Sequence, residues 1–403
     1  MGPEGTREKE LPRSRAVNVL LIMICMSFQV VALATIALFL PLIISDLGFS
    51  FTQGGSLSAI SIFLYALMQI PAGFLADRYG LKRVFFIGVL GTTLLCLLFG
   101  MISAYWHAFI NQALTGLFRS LIFASGVALL TGWFRPERRA TAMGLSLVGL
   151  FWGPFLINII GPPLVARSNW RTPFISFALL GILCAFLYQL MGKEAPDSGK
   201  VSEVGLRHVS KLFGYPFMWV CGVIQFVRLG VMNGVAFWLP TFLIDERGFS
   251  LSAAGLVIAL RSLIIAPSNV LGSYVSDRLK RPTLIIGASL VILAATTSSL
   301  GFCRSSPLLL SLIFINSIFV QLYFGPLFAI PVERYGGNMA ATLTGFGNFF
   351  ANLGGFAFSY LLGLLKDKTG HLGWGFHAIA GACIIALIFV IILERMRRQA
   401  PGR

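Results

Sequence analysis

The chain has 403 residues, of which 57% are hydrophobic and only 11% are charged. Soluble domains carry about 25% charged residues, so this composition excludes a soluble domain and predicts an integral protein of a lipid bilayer. The net charge of +16 suggests a nucleic-acid partner, but most of the 31 Lys and Arg residues fall on one side of the predicted membrane helices. This asymmetry excludes nucleic acid and predicts that both termini are cytoplasmic. We expect the inner (plasma) membrane of a bacterium or archaeon.

Twelve apolar stretches are each long enough to cross about 30 Å of hydrocarbon at about 1.5 Å per residue. The first stretch is too long for the core of a signal peptide, so we expect it to remain as a membrane helix. Most connectors are short, which makes consecutive helices antiparallel neighbours. The predicted helices are residues 17–45, 53–76, 84–103, 106–133, 140–165, 172–191, 213–243, 251–276, 283–302, 307–331, 338–365 and 373–393.

The chain repeats itself with a period of about 200 residues, which is typical of membrane proteins built from two related halves. Adding 200 to the residue number carries Gly48 onto Gly248 and Asp77 onto Asp277. The longest polar connector lies between the two copies. We therefore predict a cytoplasmic N-terminal tail (1–16), a six-helix bundle (17–191), a cytoplasmic linker (192–212), a second six-helix bundle (213–393) and a basic cytoplasmic tail (394–403).

A charged segment punctuated by glycine, Gly73 to Arg83, separates the second and third apolar stretches and is predicted to be a short turn. It resembles the signature of the major facilitator superfamily, from which Leu81 departs. The resemblance implies an all-α membrane fold of twelve transmembrane helices in two pseudo-symmetric six-helix bundles. It also implies a gating role at the cytoplasmic face for Gly73, Asp77, Arg78, Gly80, Lys82 and Arg83, and for Asp277 and Arg278 in the second copy.

Three arginines, Arg119, Arg228 and Arg261, fall in the middle of predicted helices. Arg228 lies about 18 Å before Pro240, and Arg261 lies about 15 Å after Leu251, along their helices. An arginine at the bilayer centre costs about 2.5–3.5 kcal/mol, so it is usually paired or functional. All fifteen acidic residues fall in loops, tails or helix ends. We therefore predict that these arginines line an aqueous cavity and attract an anion.

Polar side chains recur at helical spacing around these arginines and are the remaining candidates for substrate contact. The alternative for each is a hydrogen bond that holds two helices together. Thr344, Asn348 and Asn352 form a stripe on the eleventh predicted helix. The predicted substrate-binding amides are Gln112, Gln225, Asn316, Gln321, Asn348 and Asn352.

Enzymatic chemistry is not predicted, because no hydrolase, metalloprotease or phosphate-loop motif occurs and the four histidines are scattered. The six cysteines fall singly inside apolar stretches, without metal-ligand spacing, and are interpreted as small buried hydrophobic residues. No metal and no cofactor are expected.

The arginines and the missing intramembrane acid resemble the organic-anion carriers of the superfamily. The resemblance implies alternating access, with midplane arginines binding a small organic anion, a carboxylate above all, as a monomer. A dicarboxylate or organophosphate antiporter is one alternative, and a non-transporting membrane sensor on the same fold is another. A cationic-drug exporter would need a membrane-embedded carboxylate. Coupling to a proton or to a counter-anion stays open, because the acids lie at helix ends.

Overall fold

A computed structural model describes residues 4–134, 139–193, 212–336 and 340–399. Every regular element in these ranges is helical. Twelve helices are long and apolar enough to cross a membrane, which confirms the predicted fold class. The helices are α1 Glu4–Leu47, α2 Phe51–Tyr79, α3 Leu81–Phe99, α4 Tyr105–Gly132, α5 Arg139–Ala166, α6 Arg171–Met191, α7 Pro216–Thr241, α8 Leu251–Leu279, α9 Pro282–Phe302, α10a Ser306–Leu322, α10b Phe324–Tyr335, α11 Ala340–Thr369 and α12 Gly373–Arg398.

The tenth membrane helix is broken at Tyr323, a feature absent from the predicted elements. Pro326 has no backbone N–H and its ring crowds the carbonyl of Leu322, which weakens the helix at this turn and accounts for the break. The second segment starts afresh, with the Leu327 N–H donating to the Tyr323 carbonyl at 3.1 Å. The break leaves Tyr323 as a turn residue between the two helical segments, within the membrane span.

Several helix boundaries also differ from the prediction. Helix α1 begins at Glu4 instead of residue 17, because the polar residues before Val17 include several good helix formers. The segment Gly73–Arg83 was predicted to be a turn, but α2 runs to Tyr79 and α3 begins at Leu81. Only Gly80 separates the two helices, with a φ of 90° that glycine adopts without strain.

The internal repeat is visible in the backbone and in the burial of side chains. Gly48 and Gly248 have φ values of 66° and 68°, and Gly80 is matched by Lys280 at 52°. The sequence of exposed, half-buried and buried positions is identical over 71–79 and 271–279. The second copy therefore keeps the local geometry of the first even where lysine has replaced glycine.

The described residues form two compact units. The first falls within Met1–Ile36 and Leu67–Val201, and the second within Ala37–Ala66 and Ser202–Arg403. The second unit thus takes the end of α1 and the first half of α2 together with the last six membrane helices. Most of the predicted linker 192–212 lies outside the described residues, so the predicted boundary between the two bundles stays a prediction.

Each unit has its own apolar core. In the first, Phe85 of α3 meets Tyr188 of α6 edge-on, with ring centroids 5.1 Å apart, and Ile122 of α4 packs beside them. In the second, Phe242 and Phe376 meet edge-on with centroids 4.9 Å apart. These side chains are fully buried or nearly so, and they hold the helices that carry the polar residues described below.

Candidate functional site

In the first unit, the polar face of α4 is buried. Gln112 is fully buried and Arg119 is 6% exposed. The Gln112 amide nitrogen donates to the Asn111 side-chain oxygen at 3.0 Å, and Asn111 in turn donates to the Leu95 carbonyl at 2.9 Å. The Gln112 side-chain oxygen has no hydrogen-bond partner among the described residues. Asn111 therefore joins α4 to α3, and Gln112 donates to Asn111 and keeps a free acceptor.

In the second unit, Arg228 of α7 is 2% exposed and is held by its neighbours. Its Nε donates to the side-chain oxygen of Gln225, one turn earlier, at 2.8 Å. Its guanidinium carbon lies 4.7 Å from the ring centroid of Phe324 and 5.8 Å from that of Phe328. Such cation–π contacts contribute about 0.5–2 kcal/mol each and leave the positive charge intact.

The broken tenth helix supplies these aromatic contacts. Phe324 and Phe328 are one turn apart at the start of α10b, and the break at Tyr323 sets the position of this segment. The neighbouring Tyr323 is fully buried, and its hydroxyl has no hydrogen-bond partner among the described residues. These three aromatic residues were missed in the sequence, where Pro326 and the i, i+4 phenylalanine pair were the available indications.

Helix α11 approaches the same place through a glycine. A Cβ at Gly347 would lie 3.6 Å from the side-chain nitrogen of Gln225 and 3.4 Å from Cε1 of Phe328. Gln225, Arg228 and Phe328 therefore meet where α7, α10b and α11 come together, next to the half-buried Asn348. This group of side chains is hereafter the Arg228 cluster.

Arg261 of α8 is 4% exposed and differs from Arg228 in its contacts. Its Nε and Nη2 have no hydrogen-bond partner among the described residues. These two groups form one edge of the guanidinium, and this edge can donate two parallel hydrogen bonds to a carboxylate. Leaving buried donors unpaired costs about 1–3 kcal/mol, more for charged groups, so this edge is prepared for an acceptor that the described chain does not supply.

No carboxylate neutralises the two arginines of the second unit in the described part of the chain. The recorded ion pairs of this unit join Lys366 to Glu246, Arg397 to Glu333 and Arg398 to Glu394. All of these acids lie at helix ends, as the sequence predicted. The positive charge of Arg228 and Arg261 therefore remains uncompensated by acidic side chains.

The remaining predicted amides of the second unit are buried or half-buried but differ in which of their side-chain atoms are hydrogen-bonded. Asn352 donates to the Asn348 carbonyl of its own helix at 2.8 Å, and Asn316 donates to the Thr296 hydroxyl at 3.1 Å. The side-chain oxygens of Asn316 and Gln321 have no partner among the described residues. Asn316 therefore ties α10a to α9, while Gln321 keeps a free acceptor.

The N-terminus of α2 is held by a carboxylate from α11. Asp367 accepts hydrogen bonds from the backbone N–H groups of Phe51 at 3.0 Å and Thr52 at 2.6 Å. The next N–H, of Gln53, donates to the Ser50 hydroxyl at 3.1 Å, and the Gln53 side chain accepts from the Ser50 N–H at 2.9 Å. The free donors at the start of this helix are thereby satisfied, two of them by a residue more than 300 positions away.

The contact of Asp367 with the first turn of α2 is hereafter the α2 cap. Close packing continues along α2 beyond this cap. The Trp238 indole donates to the Ser359 carbonyl at 2.9 Å, and the hydroxyls of Ser58 and Ser359 are 3.3 Å apart. A Cβ at Gly55 would lie only 2.6 Å from the Ser359 carbonyl oxygen, so α2 and α11 touch backbone to backbone at this glycine. The start of α2 is thus firmly packed on α7 and α11.

The predicted gating residues lie at the other end of α2 and at the end of α8. Gly73, Asp77 and Arg78 belong to the last turns of α2, and Asp77 and Arg78 are exposed. Lys82, in the first turn of α3, donates to the Gly192 carbonyl at 2.6 Å and so ties α3 to the end of α6. Arg83, Asp277 and Arg278 are exposed.

No group of three metal-ligating side chains exists within the described ranges. All six cysteines are free, and five of them are buried while Cys184 is half-buried. This agrees with their interpretation as small hydrophobic residues.

Twelve membrane helices, a two-fold internal repeat and buried arginines define this chain as a polytopic membrane transporter rather than an enzyme. The family model of the Major Facilitator Superfamily matches residues 20–359, and a second match covers residues 250–402. The chain belongs to the Major Facilitator Superfamily.

Curated relatives cover most of the chain at low identity. A probable sulfoacetate transporter SauU of Cupriavidus necator is 25% identical over 387 residues, which cover 87% of each chain. The hexuronate transporter of Bacillus subtilis is 23% identical over 385 residues, covering 88% of this chain and 89% of the relative. Among solved structures, a bacterial homologue of the human lysosomal transporter Spinster superposes with a TM-score of 0.79 at 17% identity, over 94% of this chain and 97% of its own.

Proposed function

We propose that this protein transports a small organic anion, with a carboxylate as the favoured group, and that Arg228 and Arg261 bind it near the bilayer midplane. The observation that carries the proposal is the pair of deeply buried guanidiniums without an acidic partner in the described chain. A field of this sign in a low-dielectric surround attracts anions and repels cations. Arg119 and Gln112 of α4 are proposed as substrate-binding residues of the first unit.

The relatives support the same class of substrate. Sulfoacetate and hexuronates are both small organic anions, and each relative spans nearly the whole of this chain. Because sulfoacetate carries two anionic groups, exchange of a dianion such as a dicarboxylate or an organophosphate is the second candidate. More than one uncompensated arginine favours it.

We further propose that α2 serves as a gating element with a device at each end. At its first turn, the Asp367 cap and the Trp238–Ser359 contact hold α2 against α7 and α11. At its last turn, Asp77 and its neighbours form the motif that the superfamily resemblance assigns to the cytoplasmic gate. Alternating access requires that one device opens while the other closes, because the substrate must meet only one side at a time.

The orientation proposed from the sequence puts both termini in the cytoplasm. The last turn of α12 carries Arg395, Arg397 and Arg398, which fits the preference of basic residues for the cytoplasmic face. Under this orientation the α2 cap faces the outside and Asp77 faces the cytoplasm. Labelling of a cysteine placed in the C-terminal tail by an impermeant reagent in intact cells would contradict it.

Thermal unfolding of the purified full chain tests the substrate class. A ligand that binds only the folded state at 100 times its Kd stabilises by about 2.7 kcal/mol. We expect carboxylates such as sulfoacetate and glucuronate to raise the Tm, and glycerol 3-phosphate to do so if the second candidate is correct. Stabilisation by tetraphenylphosphonium alone, with no response to any anion, would overturn the proposal.

A further inference from the structure

We infer that Gln225 is a positioning residue, which orients Arg228 for the anion while leaving its charge intact. This inference rests on the proposed function of Arg228. The sequence placed Gln225 among the residues that contact substrate. In the structure its side-chain oxygen is instead engaged with Arg228 Nε at 2.8 Å, at a residue that is only 2% exposed.

The consequence is geometric. A guanidinium offers a carboxylate either its Nε–Nη2 edge or its Nη1–Nη2 end, and each can donate two parallel hydrogen bonds. Gln225 occupies Nε of Arg228, and Phe324 and Phe328 lie against the guanidinium at 4.7 and 5.8 Å. The Nη1–Nη2 end is therefore what Arg228 presents to a ligand. Arg261 differs, because its Nε and Nη2 have no partner among the described residues.

The choice of an amide at position 225 has an electrostatic reason. A glutamate there would also accept from Nε, but it would cancel the positive charge that attracts the anion. An apolar side chain of the same length would leave the charge but release the guanidinium from its orientation. Glutamine alone of these three supplies an acceptor without a charge.

The inference predicts unequal losses of affinity for two variants of the same residue. Gln225→Glu should lose anion affinity by more than tenfold, because an internal carboxylate competes with the ligand for Arg228. Gln225→Met should lose affinity by about tenfold or less, because charge is kept and only orientation is lost. In both variants the apparent affinity for the anion should change more than the maximal exchange rate, since neither removes a gating contact.

A ligand-free measurement tests the contact itself. Gln225→Glu places its carboxylate against Arg228, so the Tm of the purified full chain without ligand should be equal to or above that of wild type. Gln112→Glu is the matched control, because it puts a carboxylate beside the oxygen of Asn111 at an equally buried position and should lower the Tm. Equal losses of Tm in the two variants would overturn the Gln225–Arg228 contact.

Sulfoacetate and glucuronate are the probes for the ligand-bound arm, each titrated against wild type and both Gln225 variants. The inference is supported if Gln225→Glu loses stabilisation by the anion while its ligand-free Tm is kept. It is overturned if Gln225→Glu binds the anion as wild type does. If wild type itself responds to no anion, the proposed function fails, while the ligand-free comparison still decides whether Gln225 holds Arg228.

Discussion

Arg228 and Arg261 lie on consecutive helices of the second unit, and both are buried almost completely. Their surroundings differ. Arg228 is held by an amide oxygen and two phenyl rings, whereas one edge of Arg261 has no partner among the described residues. Burial of an arginine in a membrane helix therefore does not by itself define its role. The contacts that remain free indicate which part of the guanidinium is available to a ligand.

The difference predicts unequal responses to the same substitution. Arg261→Lys keeps the charge but removes the edge that donates two parallel hydrogen bonds, so the anion should bind about 10- to 100-fold more weakly. The measurement is the concentration of sulfoacetate or glucuronate that gives half-maximal stabilisation of the purified protein. Undiminished affinity in Arg261→Lys would exclude a two-point contact at this arginine.

Arg228→Lys should have a smaller effect on affinity, about tenfold, because Gln225 and the phenyl rings leave only one of the two bidentate sites of this guanidinium open to the ligand. The substitution also removes the hydrogen bond to Gln225, so its ligand-free Tm should fall more than that of Arg261→Lys. Calorimetry of the two variants side by side gives both quantities. We expect Arg261→Lys to lose more affinity and Arg228→Lys to lose more ligand-free stability. If one variant loses more of both, the two arginines are not distinct in role.

The two ends of α2 form a second comparison, since the sequence indicated only one of them. Asp77→Asn should lower the rate of exchange while leaving stabilisation by the anion nearly unchanged, because Asp77 lies outside the proposed binding residues. An ionic contact of an exposed carboxylate is worth about 0.2–1 kcal/mol, which corresponds to an effect of up to about fivefold. Transport at the wild-type rate would remove the gating role of Asp77.

At the other end of α2, Asp367→Ala removes the acceptor of two backbone N–H groups. The state in which the start of α2 packs on α7 and α11 should lose about 0.5–2 kcal/mol of stability. A cysteine in place of Ser58, which is buried against Ser359, reports opening. We expect a membrane-impermeant maleimide to label it severalfold faster after Asp367→Ala. Asp77→Asn in the same background is the control and should not raise the labelling rate. Equal labelling with and without Asp367 would show that the cap does not hold the gate closed.

Asp367→Asn gives the smallest expected change and sharpens the reason for the cap. Its amide oxygen can still accept one of the two hydrogen bonds, but the charge that favours the positive helix end is lost. The labelling rate should therefore lie between those of the Ser58→Cys parent and the Asp367→Ala derivative. A rate equal to that of Asp367→Ala would mean that charge, not hydrogen bonding, provides the whole contact.

The helices were predictable because hydrophobic length sets a membrane span, and twelve runs in the sequence match twelve spans in the structure. The positions of the three arginines within membrane helices were also predictable, since charge stands out against an apolar background. Pro326 was an indication of the break at Tyr323, because its missing N–H removes a hydrogen bond of the helix. It was missed because hydropathy runs smoothly across it.

Other features lie beyond any local pattern. The cap of α2 joins Phe51 and Thr52 to Asp367, and nothing in the sequence of either segment predicts this contact. The repeat even argues against it, because position 167, two hundred residues before Asp367, is arginine. Likewise, the role of Gln225 depends on which of its atoms meets Arg228, and helical spacing gives the neighbourhood but not the hydrogen bond. Folding in three dimensions decides these contacts.

The sign of the substrate is the central claim, and counterflow in vesicles tests it most directly. Vesicles containing the purified protein are preloaded with unlabelled sulfoacetate or glucuronate, and the entry of the same labelled anion is followed. Because an empty, positively charged site is costly to bury, exchange should be faster than net efflux into anion-free buffer. Arg261→Lys should lower the rate of this exchange. Accumulation of a labelled organic cation, with no response to any internal anion, would contradict the account.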